Sequence, residues 1–336
     1  MRVAILAHGG FPDRAKTAQG ILRYGDGEVV AVLDRDRAGD RVREYVPDVQ
    51  DAPIVESMAA VEDVDALVIG VAPIGGGFTD DWRPDVRAAL EQGCDLVSGL
   101  HTFLADDEEF SRLAADHGCE IWDVRKPPAD LTVSEGRAGE VDATVICTVG
   151  TDCSVGKMTT TMELVAGLRE SGHDAAVIPT GQTGIVIEGW GMPVDRVISD
   201  FAAGAVERMI CEKGDDHDYL VVEGQGSIVH PAYSAVTCGI LHGAMADALV
   251  CCHEAGRDVV YGYESFDLPP IETYVDLYES LADPVSPASV VGGAIDTSAL
   301  SQEAAQAAIE RYETALSAPA TDPIRDGVDP LVEVLT

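Results

Sequence analysis

Lysine is almost absent from this chain. Four occur in 336 residues, at positions 16, 126, 157 and 213. Lys plus Arg total 22 against 59 Asp plus Glu, a formal net charge of −37. Such a field repels phosphate polymers and anionic lipid, so neither nucleic acid nor a membrane surface is an expected partner. The eight cysteines include no CxxC pair and no metal-ligand spacing. Most lie in apolar runs, as reduced, buried thiols of a cytosolic protein do. No uncharged apolar run reaches membrane-spanning length, and no signal peptide opens the chain. A soluble, cytoplasmic protein acting on small molecules is the expectation. The acidity is spread over the whole chain and 46% of the residues are hydrophobic, which excludes a disordered acidic tail. Dispersed acid with scarce lysine suits a salt-rich cytoplasm, where self-repulsion is screened, and so predicts a halophilic protein.

One of the four lysines stands in the most informative stretch, residues 143–161. Residues 143–149 (Ala-Thr-Val-Ile-Cys-Thr-Val) are rich in β-branched types without polar alternation, as a central parallel strand requires. From Met162 to Leu168 apolar residues recur at helical spacing, with Gly172 as the stop. Between strand and helix lies Gly150-Thr151-Asp152-Cys153-Ser154-Val155-Gly156-Lys157, a variant phosphate-binding loop. Its backbone N–H groups are expected to wrap an anion, with the helix dipole and the Lys157 charge in support. Five residues separate Gly150 from Gly156, one more than usual. The residue after the lysine is Met158, where a Ser or Thr hydroxyl normally holds magnesium; Thr159 or Thr160 is the candidate substitute.

The remaining chain alternates strand and helix, which predicts an α/β protein of two domains. Residues 2–7 and 28–33 read as strands around a helix at 15–24, the first followed by His8-Gly9-Gly10 and the second ending at Asp34. That outline is Rossmann-like, but G-x-G-x-x-G is absent, so an empty scaffold is favoured over a nicotinamide site. Lys16 and Arg23 share one face of the helix and are candidates to hold an anion. A strand at 65–72 runs into Pro73-Ile74-Gly75-Gly76-Gly77, either a close backbone approach to a ligand or a surface turn. Strands at 95–98 and 120–124 with helices at 84–92 and 107–117 complete a domain spanning 1–127.

The second domain, 128–336, contains the loop. A strand at 175–179 leads to Thr180-Gly181-Gln182-Thr183, whose polar groups are candidates to reach phosphates or substrate. Asp200 heads a helix at 201–211, as an N-cap or a functional acid. Residues 219–222 are a strand delivering Glu223, before Gly224-Gln225-Gly226-Ser227; an acid ending a core strand needs a partner, so Glu223 is a candidate magnesium ligand or base. His230-Pro231-Ala232-Tyr233 follows as a loop over the same site. Strands at 247–253 and 289–295 precede Asp296, placed to read a base edge, and a helix at 302–316. In the turn-rich tail, Arg325 is a candidate clamp for a carboxylate or phosphate.

Gly150 through Lys157 resembles the phosphate loop of dethiobiotin synthetase, and Val222-Glu223-Gly224-Gln225-Gly226 resembles that enzyme's second acidic strand. Those enzymes use ATP and magnesium and keep a Thr after the lysine, where this chain has Met158; Asp296 stands where such folds often carry Asn. A wider resemblance joins Lys16-Thr-Ala, Leu22-Arg23-Tyr24, the loop through Thr160, Asp200-Phe201 with Gly204-Ala205, residues 223–227, His230 to Tyr233 and Thr321 to Arg325. It is to a family long carried as a domain of unknown function and sometimes labelled NAD-dependent epimerase. Some of its members are described as D-glutamate N-acetyltransferases that use acetyl-CoA.

That resemblance implies attack of an acidic amino acid's amine on the acetyl thioester, with the coenzyme's phosphates on residues 150–159. Glu223 is the expected base, with His230 or Asp200 as deputies. Gln225 and Tyr233 join Thr180, Gln182 and Thr183 as substrate-side candidates, and Arg325, Arg23 or Lys16 would meet carboxylates. No metal is expected for this chemistry. The alternatives are an ATP-dependent kinase or ligase, with magnesium on Asp152 and Glu223, and a non-catalytic nucleotide-binding regulator. A homo-oligomer is expected.

Overall fold

The structure, a computed structural model, describes residues 1–71 and 76–336. Residues 72–75, with Pro73, Ile74 and Gly75 of the proposed glycine approach, lie outside the described residues. The chain divides into two compact units, Met1–Pro127 with Gln182–Pro193, and Pro128–Gly181 with Val194–Thr336.

The first unit is built from β1 (Arg2–Leu6), α1 (Lys16–Tyr24), β2 (Glu28–Leu33), β3 (Ile54–Val55), β4 (Ala66–Ile69), α2 (Arg83–Glu91), β5 (Asp95–Ser98), α3 (Glu108–His117) and β6 (Ile121–Asp123). Its strands lie in the order β3-β2-β1-β4-β5-β6 and all pair in parallel. This is the doubly wound order of Rossmann-type sheets. Ile5, Leu6, Leu33, Leu67, Ile69 and Leu96 are fully buried, because strands covered on both faces carry continuous apolar runs. The two ends of α3 are fixed by Asp107, which accepts from the amides of Glu109 and Phe110 at its start, and by Gly118 in the left-handed region at its close.

Asp34 sits where a dinucleotide fold would offer an acid to a ribose. It is fully buried, and its carboxylate accepts from the amides of Gly9 at 3.4 Å, Phe11 at 3.2 Å and Asp36 at 3.0 Å. The turn after β1 therefore closes on the protein's own acid.

The second unit contains β7 (Thr144–Gly150), α4 (Lys157–Glu170) and β8 (Ala175–Ile178), after which the chain makes α5 (Gln182–Glu188). That helix belongs to the first unit: Ile185 is buried in its core and Thr183 Oγ1 lies 2.9 Å from Thr17 Oγ1. The second unit resumes with α6 (Ala202–Lys213), β9 (Tyr219–Val222), α7 (Ser234–Ala244), β10 (Ala248–Glu254) and a hairpin of β11 (Val259–Val260) and β12 (Tyr263–Asp267). It ends with α8 (Ile271–Ala282), β13 (Ser289–Asp296), α9 (Gln302–Leu316), β14 (Ala320–Thr321) and α10 (Asp329–Leu335). The parallel order β14-β13-β10-β7-β9-β8 places β7 and β9 side by side near the middle. Their C-terminal ends carry the two motifs singled out above, at the edge where open α/β sheets bind ligands. No helix among the described residues is long and apolar enough to cross a membrane.

Candidate active site

The loop between β7 and α4 is held from beneath by buried hydroxyls. Thr151 donates its amide to the Cys252 carbonyl, its Oγ1 lies 2.9 Å from His253 Nδ1, and its own carbonyl accepts from Ser227 Oγ. The Tyr278 hydroxyl donates to the Gly150 carbonyl at 2.7 Å and accepts from the Ile228 amide. Ser154 and Gly156 adopt left-handed backbone, φ +55 and +91. Among the described residues the amides of Asp152, Ser154 and Gly156 make no hydrogen bond. Unmet amides at a helix start form an anion-binding nest. Lys157, only 7% exposed, folds back so that Nζ donates to the Asp152 carbonyl at 2.7 Å.

Met158 is buried and offers no hydroxyl. Thr160 is buried against Cys252, whose thiol reaches its Oγ1, and Thr161 donates to the Lys157 carbonyl while meeting Thr148. Thr160 therefore does not take over the missing role. Thr159 is half-buried on the first turn of α4.

Beside the loop, β9 ends in Glu223. The carboxylate's Oε2 accepts from the amides of Thr180 at 3.2 Å and Gly181 at 3.0 Å. The carboxylate thus meets the turn that follows β8. Thr180 donates its hydroxyl to the Glu223 carbonyl, and Gln225 donates to the Thr180 carbonyl. Thr180 and Gln225 are thereby bound into the junction of β8 and β9. Gly224 is required by close approach: a Cβ there would stand 1.7 Å from the Thr148 carbonyl oxygen and 3.3 Å from Lys157 Cδ.

Asp152 is fully buried inside the loop. One oxygen accepts from the Cys153 amide at 2.7 Å, the other from the Tyr261 amide at 2.7 Å and Arg257 Nη1 at 3.2 Å. Arg257 also donates to the Cys153 carbonyl and pairs with Glu254. Arg257 and Tyr261 escaped the sequence reading because they follow β10 by a short, unpatterned segment. The hairpin they belong to became visible only once the chain was folded.

His230 is 1% exposed, with its ring 4.6 Å from Tyr233 and 5.1 Å from Tyr263. Its Nδ1 accepts from the Ala232 amide at 3.1 Å, so in the neutral ring Nε2 carries the hydrogen. Among the described residues Nε2 has no hydrogen-bond partner, and it lies 4.0 Å from Asp152 Oδ1. Burial, with a smaller push from the Lys157 charge, drives the His230 pKa down, while the Asp152 charge and the Tyr261 backbone oppose it. A blocked Nδ1 and a protonated Nε2 make His230 a donor, which removes it from the list of bases. The same tautomer speaks against a metal on Asp152, Cys153 and His230, whose ligand atoms lie within 4.8 Å of one another. An unmet buried donor costs about 1–3 kcal/mol, so this nitrogen is placed for an acceptor.

The other candidates are dispersed. Asp200 is exposed in a short turn before α6, and neither caps the helix nor meets a partner among the described residues. Asp296 caps the turn after β13 by accepting from the Ser298 amide. Arg325 donates to the carbonyls of Thr297 and Leu300 and to Gln302, so its guanidinium closes a turn instead of clamping a ligand. Gln182, Thr183, Lys16 and Arg23 belong to the first unit. Lys16 is exposed and Arg23 half-buried, and among the described residues neither side chain is bonded to anything.

Known proteins match this layout along the chain. Residues 132–332 match the profile described as a P-loop domain of unknown function, DUF1611, and residues 35–127 match its Rossmann-like N-terminal partner. A D-glutamate N-acetyltransferase of Tritonibacter scottomollicae is 39% identical over 272 residues, 80% of each chain. Another from a Pseudoalteromonas species is 38% identical over 269 residues, 79% of this chain and 80% of that one. The crystal structure of a DUF1611 protein from Anabaena variabilis superposes with a TM-score of 0.95 at 39% identity, covering 99% of this chain and 98% of that one. With its Rossmann-like first unit and P-loop second unit, the chain belongs to the DUF1611 family.

Proposed function

We propose that this chain is an N-acetyltransferase that moves the acetyl group of acetyl-CoA to the amine of an acidic amino acid, D-glutamate foremost. The names of the two curated relatives support the transferase reading. The observation that carries the donor is the loop itself: open amides and an inward lysine, followed by Met158 in place of the magnesium hydroxyl. A pyrophosphate can rest on such a loop without a metal, whereas ATP cleavage relies on one to neutralise charge between the phosphates.

The amine nitrogen attacks the thioester carbonyl carbon, the carbon–sulfur bond breaks, and coenzyme A leaves as the thiol, its sulfur taking the second proton that the nitrogen gives up. The proton lost by the ammonium goes to Glu223, whose carboxylate is oriented by the Thr180 and Gly181 amides. Loop and base thus follow neighbouring strands, β7 and β9. The deficit of lysine suits work in concentrated salt.

The test is to incubate protein and D-glutamate in molar KCl with acetyl-CoA, or with ATP and magnesium, and follow free thiol and ADP. Thiol release undiminished by EDTA is expected, and Met158→Thr should leave it largely intact. ADP release that depends on the amino acid, without thiol release, would sink the transferase in favour of a ligase.

A further inference from the structure

We infer that His230 is a ligand of the cofactor's phosphates, donating a hydrogen bond from Nε2 to a phosphate oxygen held in the loop after β7. The inference rests on the acyl-transfer reading for the identity of the cofactor, and on the loop alone for the presence of an anion.

Four observations converge. The ring is 1% exposed and its Nε2 is unpartnered among the described residues, 4.0 Å from Asp152 Oδ1. It is therefore aimed into the loop. The Ala232 amide occupies Nδ1, so the nitrogen facing the loop is a donor. Asp152 does not answer it. Its carboxylate is already engaged by Arg257 and the amides of Tyr261 and Cys153, and 4.0 Å exceeds a hydrogen bond. What else faces the loop, the Asp152, Ser154 and Gly156 amides and the Lys157 ammonium, selects an acceptor that is anionic.

The geometry distinguishes this from acid–base catalysis. A donor is needed in one state only, and burial keeps the ring neutral with Nε2–H in place around neutral pH. Binding through His230 should then be level between pH 6.5 and 8. The phosphates of coenzyme A are remote from its thioester, so the contribution belongs to binding and not to the bond-breaking step.

The experiment compares wild type, His230→Ala and His230→Gln with acetyl-CoA and with acetyl-pantetheine, which lacks the pyrophosphate. The Gln amide restores a donor near Nε2 but no imidazole base. His230→Ala is expected to raise the KM for acetyl-CoA about tenfold with kcat held within about threefold, since one hydrogen bond to a charged group is removed. His230→Gln should recover most of that loss. The preference for acetyl-CoA over acetyl-pantetheine, as a ratio of kcat/KM, should shrink about tenfold in His230→Ala. Equal loss of kcat on both donors would overturn the inference and place His230 at the reacting carbon.

Calorimetry with ADP and with inorganic pyrophosphate separates this claim from the reaction. Weaker binding by His230→Ala than by wild type supports it even if no acetyl transfer occurs, while equal binding overturns it. Nitrogen chemical shifts of the His230 ring guard against a variant that fails to fold: the Nε2–H form is expected in wild type, and an Nδ1–H form overturns the assignment.

Discussion

Two turns of this protein leave parallel strands at equivalent places and treat their amides oppositely. After β1, Gly10 and Phe11 donate to the Ala7 carbonyl, and Gly9 and Phe11 also reach the buried Asp34 carboxylate. After β7, Asp152, Ser154 and Gly156 keep their amides open, with an inward lysine beside them. The same architecture thus supplies one turn that is complete without a ligand and one that is not. Glycine content does not separate them. The position of the nearest acid does, because a carboxylate placed among amides answers the donors that a phosphate would otherwise meet.

The sharpest contrast lies in the glycines. Gly224→Ala should cost more than about 4 kcal/mol or abolish soluble folded protein, since its Cβ would overlap the Thr148 carbonyl and drive β7 and β9 apart. Gly9→Ala meets nothing within 4 Å and carries only the strain of φ +62, about 1 kcal/mol. Thermal melts of the two variants measure the difference, and equal destabilisation would refute it.

Acid and lysine should then behave as a crossed pair. Asp34→Ala removes the acceptor of three amides at a fully buried site and is expected to lower stability by about 3 kcal/mol while leaving affinity for coenzyme A unchanged. Lys157→Ala should do the reverse, weakening coenzyme A on the order of 10- to 100-fold with little change in Tm. Denaturant melts and calorimetry on both variants decide the matter; a loss of affinity in Asp34→Ala would show that the first turn also binds.

The smallest effect concerns pH. Burial and the Arg257 charge push the His253 pKa, ordinarily 6.5, down to about 4. Above pH 6.5 the ring is neutral in both folded and unfolded chains and its contribution is intact. As pH falls below 6.5 the unfolded chain takes up a proton that the folded one refuses, and stability drops until about pH 4. Between pH 6.5 and 5 this amounts to about 2 kcal/mol. His253→Asn should flatten that part of the stability–pH curve, measured by denaturant titration; an unchanged slope would assign the acid loss elsewhere.

Much of this was readable before folding. The strand, loop and helix at 143–168 declared themselves because β-branched residues, glycines and helical spacing all change where the backbone does. Asp34 and Glu223 were found as acids ending apolar strands. What each acid binds was not readable, since the amides of Phe11 and Gly181 come from segments set by tertiary packing. Arg325 looked like a ligand clamp for the same reason: its carbonyl partners at Thr297 and Leu300 are 25 or more positions away. The hairpin at 259–267 was missed because its short strands carry no apolar periodicity. The tautomer of His230 depended on one amide two residues on, a contact that no residue pattern encodes.

The placement of α5 has a consequence for the order in which the protein can be made. Ile185 and Thr183 complete the interior of the first unit, yet the ribosome reaches them only after β7, α4 and β8 of the second have been synthesised. The amino-terminal unit therefore emerges with part of its interior missing and must wait for residues about sixty positions downstream of its own end at Pro127. A chain stopped after residue 127 would present α1 with its face toward α5 bare, and a cut at that point leaves the second unit carrying a helix that belongs to the first.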